Sequence, residues 1–227
     1  PKPSSAASDV YKRQGWRIYR DRSQRHPWLA GSSDRDRSER RGLSGGLCPE
    51  RAAMKPLEPD KIAWAVHIAC LLEVCADKPG NVTWGKDFWD IRFVDFMVSA
   101  VAVGPALRDA PAASIGETVL RAVRDTRRFV RTNTNLGMIL LLAPLAKAAG
   151  LGHPQGLRAG VSEVLRALTV DDARLAFEAI RLASPGGLGK AGRYDVRGAE
   201  VDITLREAMH LAQDRDTVAR ELSLIHI

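Results

Sequence analysis

The chain has 227 residues, 45% of them hydrophobic, with 34 Lys/Arg against 27 Asp/Glu and a formal net charge of +7, which is long enough for one sizeable core. The basic excess would suggest nucleic acid, but residues 1–53 hold 12 Lys/Arg against 6 Asp/Glu and residues 54–227 hold 22 against 21, so the body of the chain gives no electrostatic reason to expect DNA or RNA. Cys48, Cys70 and Cys75 form neither a disulfide framework nor a zinc spacing, and the longest apolar run, Met138 to Ala149, is interrupted by Pro144 and Lys147 and falls short of the roughly 20 residues that span a bilayer.

Residues 1–53 show no helical or alternating period and read as a non-domain leader. The opening SSAASDVYKRQ and the closing LSLIHI resemble translated sequencing-adapter ends, so residues 1–53 and 222–227 are set aside from fold reasoning. Met54 is the expected start, a helical catalytic domain is expected over 54–221, and the protein is expected to continue past Glu221. With no charged-then-apolar leader read in the chain, a cytoplasmic enzyme or binding protein is the expectation, with no membrane partner.

From Met54 onward the periodicity is helical and no alternating strand is evident, so the fold class expected is all-α, a single-domain multi-helix bundle without a sheet. Helices are predicted near 59–76, 90–108, 115–131, 135–149, 155–167, 170–183 and 204–221. Turn chemistry separates them at Lys78-Pro79-Gly80-Asn81, Asp109 to Ser114, Gly150 to Pro154 and Ser184-Pro185-Gly186-Gly187, and Gly104-Pro105 marks a kink within the second helix.

In the first helix Ile62, Val66, Ala69 and Glu73 fall on one face, which ends an apolar stripe on a carboxylate that needs a metal, a cation or a donor. The turn that follows sets backbone amides, the Lys78 cation, Gly80 and the Asn81 amide beside it. That combination suits a phosphate, although Pro-Gly-Asn is also an ordinary turn. Asp87, Asp90 and Asp95 surround the start of the second helix. Asp87 shares a face with Ile91, Val94 and Val98 and is equally well placed to cap the helix; Asp90 reads as a first-turn acid.

The third helix carries Arg121, Arg124, Arg128 and Arg131 opposite its apolar side, a solvated stripe apart from Arg131, which adjoins Thr132-Asn133-Thr134-Asn135-Leu136-Gly137. That polar segment opens a helix too apolar to be anything but buried. Such an N-terminus offers free amides to an anionic ligand, with capping by Asn133 or Asn135 as the alternative. The Ser184-to-Lys190 stretch fails as a Walker A loop, because Ser184 stands at the first glycine and Ala191 where a hydroxyl should meet magnesium. On the last helix Leu205, Met209, Ala212, Asp216 and Ala219 share a face, so Asp216 repeats the situation of Glu73, and two inward acids far apart in sequence suggest a shared site.

At these residues the chain resembles the triphosphoribosyl-dephospho-CoA synthase family, an all-α group that makes the precursor of a prosthetic group used in citrate and malonate decarboxylation. The resemblance rests on the Glu73 helix, the Lys78-Pro-Gly turn, Lys86-Asp87 with Asp95-Phe96 and Ser99, then Asn133-Thr134 and Gly137, the Pro-Gly-Gly-Leu-Gly loop with Asp195-Val196, and Arg215-Asp216 with Ala219-Arg220. These occur in order from about Ala65 to Glu221, and the family's C-terminal helices are missing. Better-known members read Asn-Thr-His-Lys-Gly where this chain has Asn133-Thr134-Asn135-Leu136-Gly137, which marks a divergent branch and leaves the acceptor open.

The resemblance implies transfer of the triphosphoribosyl group of ATP to the ribose 2′-hydroxyl of 3′-dephospho-CoA, with release of adenine. It further implies that Glu73, Asp87 and Asp216 form an acidic centre associated with Mg2+, and that Lys78, Gly80, Asn81, Arg131, Asn133, Thr134, Asn135 and Gly137 hold the substrates. The competing expectations are a magnesium-dependent N-glycosyl hydrolase and a non-catalytic helical nucleotide-binding protein.

Overall fold

The computed structural model describes residues 53–78, 80–186, 194–198 and 201–224. The described residues belong to one compact unit, Arg51–Ile227. Residues 1–52, Pro79, residues 187–193, which include the Gly187-to-Lys190 part of the glycine-rich loop and the Ala191 position, residues 199–200 and residues 225–227 lie outside the description.

The described fold is all-α. Its only β pairing among the described residues is two isolated bridges, Met54 with His153 and Thr83 with Lys86. Helix α1 (Pro59–Cys75) begins with proline at its first position, where the missing N–H costs nothing, and buries Ile62, Val66, Cys70 and Val74. The stripe steps by four each time, so Glu73 borders the buried face rather than ending it, a correction to the spacing argument. The same helix is apolar on its outer side, where Trp64 is 64% and Leu72 65% exposed.

Helix α2 (Phe93–Ala102) starts later than its predicted position because the Asp95 carboxylate accepts from the Arg92 backbone N–H at 2.8 Å while the Asp95 N–H donates to the Arg92 carbonyl at 3.0 Å. Gly104-Pro105 then breaks the segment, and the short α3 (Gly104–Arg108) follows. Gly104 is required by close approach: a Cβ there would lie 1.9 Å from His67 Nε2 on α1.

Helix α4 (Ile115–Arg127) is opened by a Ser114–Glu117 capping box and ends before the predicted position 131. Helix α5 (Leu136–Leu151) is the centre of the domain. It packs against α1, α3, α4, α6 (Leu157–Arg166) and α9 (Thr217–Leu224), and it buries residues on all sides, as an apolar-all-round helix must. Its single cation, Lys147, donates to the carbonyls of Ala113 at 2.6 Å and Pro111 at 3.3 Å.

The most extensive helix contact is between α4 and α7 (Val170–Ala183). It closes around Asp172, which is 4% exposed and accepts from the backbone N–H of Gly116 at 2.7 Å and of Thr169 at 2.8 Å. Gly116 lets the helices meet, since a Cβ there would lie 2.7 Å from Asp172 Cα.

Helix α8 (Leu205–Ala212) carries a Thr204–Glu207 capping box, and α9 follows it. The predicted helix over 204–221 is therefore two helices with Gln213 to Asp216 between them. Leu222 is 3% exposed and belongs to the core, so the folded region passes the boundary expected at residue 221. No helix among the described residues is long and apolar enough to cross a membrane.

Candidate active site

A cleft of about 380 Å³ opens between the start of α5, the end of α7 and the α8–α9 junction. Its depth is apolar, lined by Leu140, Phe177, Ile180 and Met209, and Asn133, Gly137, Asp195, Arg215 and Asp216 supply its polar lining. An apolar body with a few convergent polar groups is the usual form of a small-molecule site.

The local folding explains each placement. Ser184 adopts a left-handed conformation at the end of α7 (φ +47°), which turns the chain so that Pro185 and Gly186 reach the cleft. Asn133 accepts a 3.2 Å hydrogen bond from the Leu136 N–H, so it caps α5 from three residues upstream. Asn135 precedes the helix, is 8% exposed, and its Nδ2 has no hydrogen-bond partner among the described residues. It lines a small void with Asn133, Thr134 and Arg127 rather than the open cleft. Asp216 accepts from the Ala219 N–H at 2.9 Å and so caps α9, exposed at the cleft instead of inward on a continuous stripe.

The other expected residues gather elsewhere. Lys78 donates to the Glu73 carboxylate and, at 2.7 Å, to the Glu73 carbonyl. Gly80 supplies the positive φ of the turn (+78°), and the Asn81 N–H closes it on the Lys78 carbonyl at 3.2 Å. Asp87 accepts from the Phe93 N–H, the first amide of α2, at 2.7 Å, which is the capping alternative. Arg131 is exposed, and its carbonyl accepts from the Arg127 guanidinium. Burial and then the Glu73 charge push the Cys70 thiol up to about 11, so it stays protonated and is no nucleophile near neutral pH.

Glu73, Lys78 and Asp87 are thus absent from the lining of the cleft. One chain of hydroxyls links the two regions: Thr134 donates to Ser99 Oγ at 2.6 Å, and Ser99 donates to the Asp95 carbonyl at 2.7 Å.

Among the described residues no three acidic, histidine or cysteine side chains group as a metal would require. Glu73 is engaged by Lys78, and Asp87 and Asp216 each accept from a helix-start amide. The donor set does not fit a resident ion held by protein alone.

Arg215 is the site residue that side-chain periodicity missed. It stands in the turn before α9 and lines the cleft, and no ion pair or hydrogen bond engages its guanidinium among the described residues. Its signal in the sequence was adjacency to Asp216; its lack of a partner is a property of the fold alone.

A family model described as ATP:dephospho-CoA triphosphoribosyl transferase matches residues 59–224. No curated protein and no solved structure matches the chain. The matched span covers every element from α1 to α9 and therefore the whole cleft, and this chain belongs to the ATP:dephospho-CoA triphosphoribosyl transferase family.

Proposed function

We propose that the cleft at the start of α5 is where this protein transfers the triphosphoribosyl group of ATP to the 2′-hydroxyl of 3′-dephospho-CoA or a related acceptor. The observation that carries this reading is convergence. Asn133, Gly137, Pro185-Gly186, Asp195-Val196 and Arg215-Asp216, scattered over more than eighty positions, line one cavity. In the reaction the bond between ribose C1′ and adenine breaks, adenine leaves with a proton, and the acceptor oxygen bonds to C1′ as its own proton is taken up. The apolar walls suit the adenine ring and shed water from the site.

Asp216 is the carboxylate at hand for the acceptor proton or for the positive charge that develops on the ribose. One of its oxygens holds the Ala219 amide, which fixes the side chain without consuming the other. Asn133, Thr134, Asn135 and Gly137 shape the rim and the helix start above the cavity. Magnesium enters this reading as part of the substrate, bound to the triphosphate. Glu73 and Asp87, with Lys78, Gly80, Asn81 and Arg131, belong to the acidic and phosphate-holding set implied by the resemblance. For them to act, Glu73 would have to leave Lys78, whereas Asp87, like Asp216, holds its helix-start amide through one oxygen.

Incubation with MgATP and dephospho-CoA, followed by chromatography for adenine, tests the proposal. Adenine is expected only when the acceptor is present. Adenine and free triphosphoribose without acceptor would mean a hydrolase, and saturable ATP binding with no adenine would mean a binding protein.

A further inference from the structure

Helix α1 is apolar on both of its sides. The inner side buries Ile62, Val66, Cys70 and Val74, and the outer side presents Trp64, Ile68 and Leu72 at 64%, 56% and 65% exposure. Helix α2 packs against α1 and repeats the arrangement. Its Ser99 and Ala100 are buried, while Val94, Met97, Val98 and Val101 are exposed, Val101 to 62%. No Asp, Glu, Lys or Arg occurs from Ile62 to Leu72 or from Phe96 to Leu107. A helix that is apolar all round is ordinarily covered on every side, and α1 is covered on one.

The size and chemistry of this face fit a second copy of the chain. The exposed parts of the seven side chains come to roughly 700 Å², above the 300–600 Å² of a typical monomer's largest apolar patch and close to the 800 Å² that each partner gives to a stable interface. A two-fold axis sets a surface against itself, so a charged side chain near the axis meets its own copy. A face without charge pairs with itself at no such cost. Trp64, Ile68 and Leu72 also stand at steps of four and form one ridge. Ridges of this kind interdigitate with their like at a crossing angle of about −50°, and in a two-fold pair the two ridges are identical by symmetry. A bilayer fits less well, because helices that lie on membranes carry a polar face rich in Lys and Arg. The residues bounding this patch, Lys61, Glu73, Asp95 and Arg108, are mixed in sign.

We propose that the outer faces of α1 and α2 form a homodimer interface, in which a second copy crosses its α1 ridge over the first about a two-fold axis near Ile68. None of the seven side chains lines the cleft, so the interface stands apart from the transferase reading.

Size-exclusion chromatography with light scattering across a dilution series tests the interface. The unaltered protein is expected at twice the chain mass. Ile68→Glu and Leu72→Glu are expected at the mass of one chain, the dimer dissociation constant rising at least about 100-fold because a charge is buried without a partner. Leu211→Glu puts the same charge on a 55% exposed leucine of α8 and is expected to remain dimeric. Circular dichroism checks that the variants fold. If a glutamate variant unfolds, Ile68→Ala and Leu72→Ala remove contact area without adding charge, and each should raise the dissociation constant about 10-fold. A monomeric unaltered protein, an assembly of more than two copies, or a dimer indifferent to Ile68 and Leu72 overturns the proposal. So does a monomer that cosediments with phosphatidylcholine vesicles, which would assign the face to a bilayer.

Discussion

The connection from α1 to α2 and the cleft at the α5–α9 junction hold similar residue types but use them differently. In the connection every acid of interest is already engaged: Glu73 with Lys78, Asp87 with the Phe93 amide, Asp95 with the Arg92 amide. At the cleft the acids are likewise engaged, but the Arg215 cation is left over among the described residues. A polar group that satisfies a neighbour within its own segment stabilises that segment, and a group the fold leaves without a partner is available to a ligand. The two regions therefore predict different consequences for mutations that look alike on paper.

The largest expected effect is on catalysis at the cleft. Asp216→Asn should lower the rate of adenine release about 100- to 1000-fold, the range for loss of an acid–base group. Its melting temperature should stay close to that of the unaltered protein, because asparagine caps a helix about as well as aspartate. A rate within a factor of three would remove Asp216 from the chemistry. The opposite pattern is expected in the connection. Asp87→Ala should cost about 1 kcal/mol in urea denaturation, as lost caps do, and Glu73→Gln less, since the Lys78 pair is partly solvated and such pairs contribute about 0–1 kcal/mol. If either variant kept full stability and lost adenine release, the contrast between the regions would be wrong. Smallest is Gly137→Ala, which should gain about 0.5 kcal/mol in helix stability by thermal denaturation, because the new methyl would meet only Val218 Cγ2, at 3.4 Å.

The helices were legible because long apolar runs bounded by Gly, Pro and Ser/Thr leave few alternatives. Where boundaries moved, local hydrogen bonding decided. The Asp95 carboxylate accepts the Arg92 amide and sets the start of α2. The break before α9 was hidden because Leu205, Met209, Ala212, Asp216 and Ala219 keep a helical period, and an interruption of about one turn preserves that period across the gap. Glu73 was misplaced by one position around its helix, because steps of three and four fit the same apolar residues until burial selects Cys70 and Val74. Asn133 and Gly137 could be named from sequence as part of the polar opening of an apolar helix, and Asp216 as an acid on an apolar stripe, whereas its place at a helix start emerges only from the fold. Arg215 was legible only as the neighbour of Asp216 in the resemblance, since its place on the cleft arises only when distant segments are brought together.

One carboxylate ties the largest helix pair together at its origin. Asp172 caps its own helix start at Thr169 and also receives the Gly116 amide of α4, so unwinding α4 from its N-terminus strips a donor from α7, and unwinding α7 strips an acceptor from α4. In amide hydrogen exchange the first turns of α4 and α7, ordinarily the fastest parts of a helix, should open together with a single free energy close to that of global unfolding. Frayed ends are thereby removed from the helix that carries Phe177 and Ile180 to the cleft.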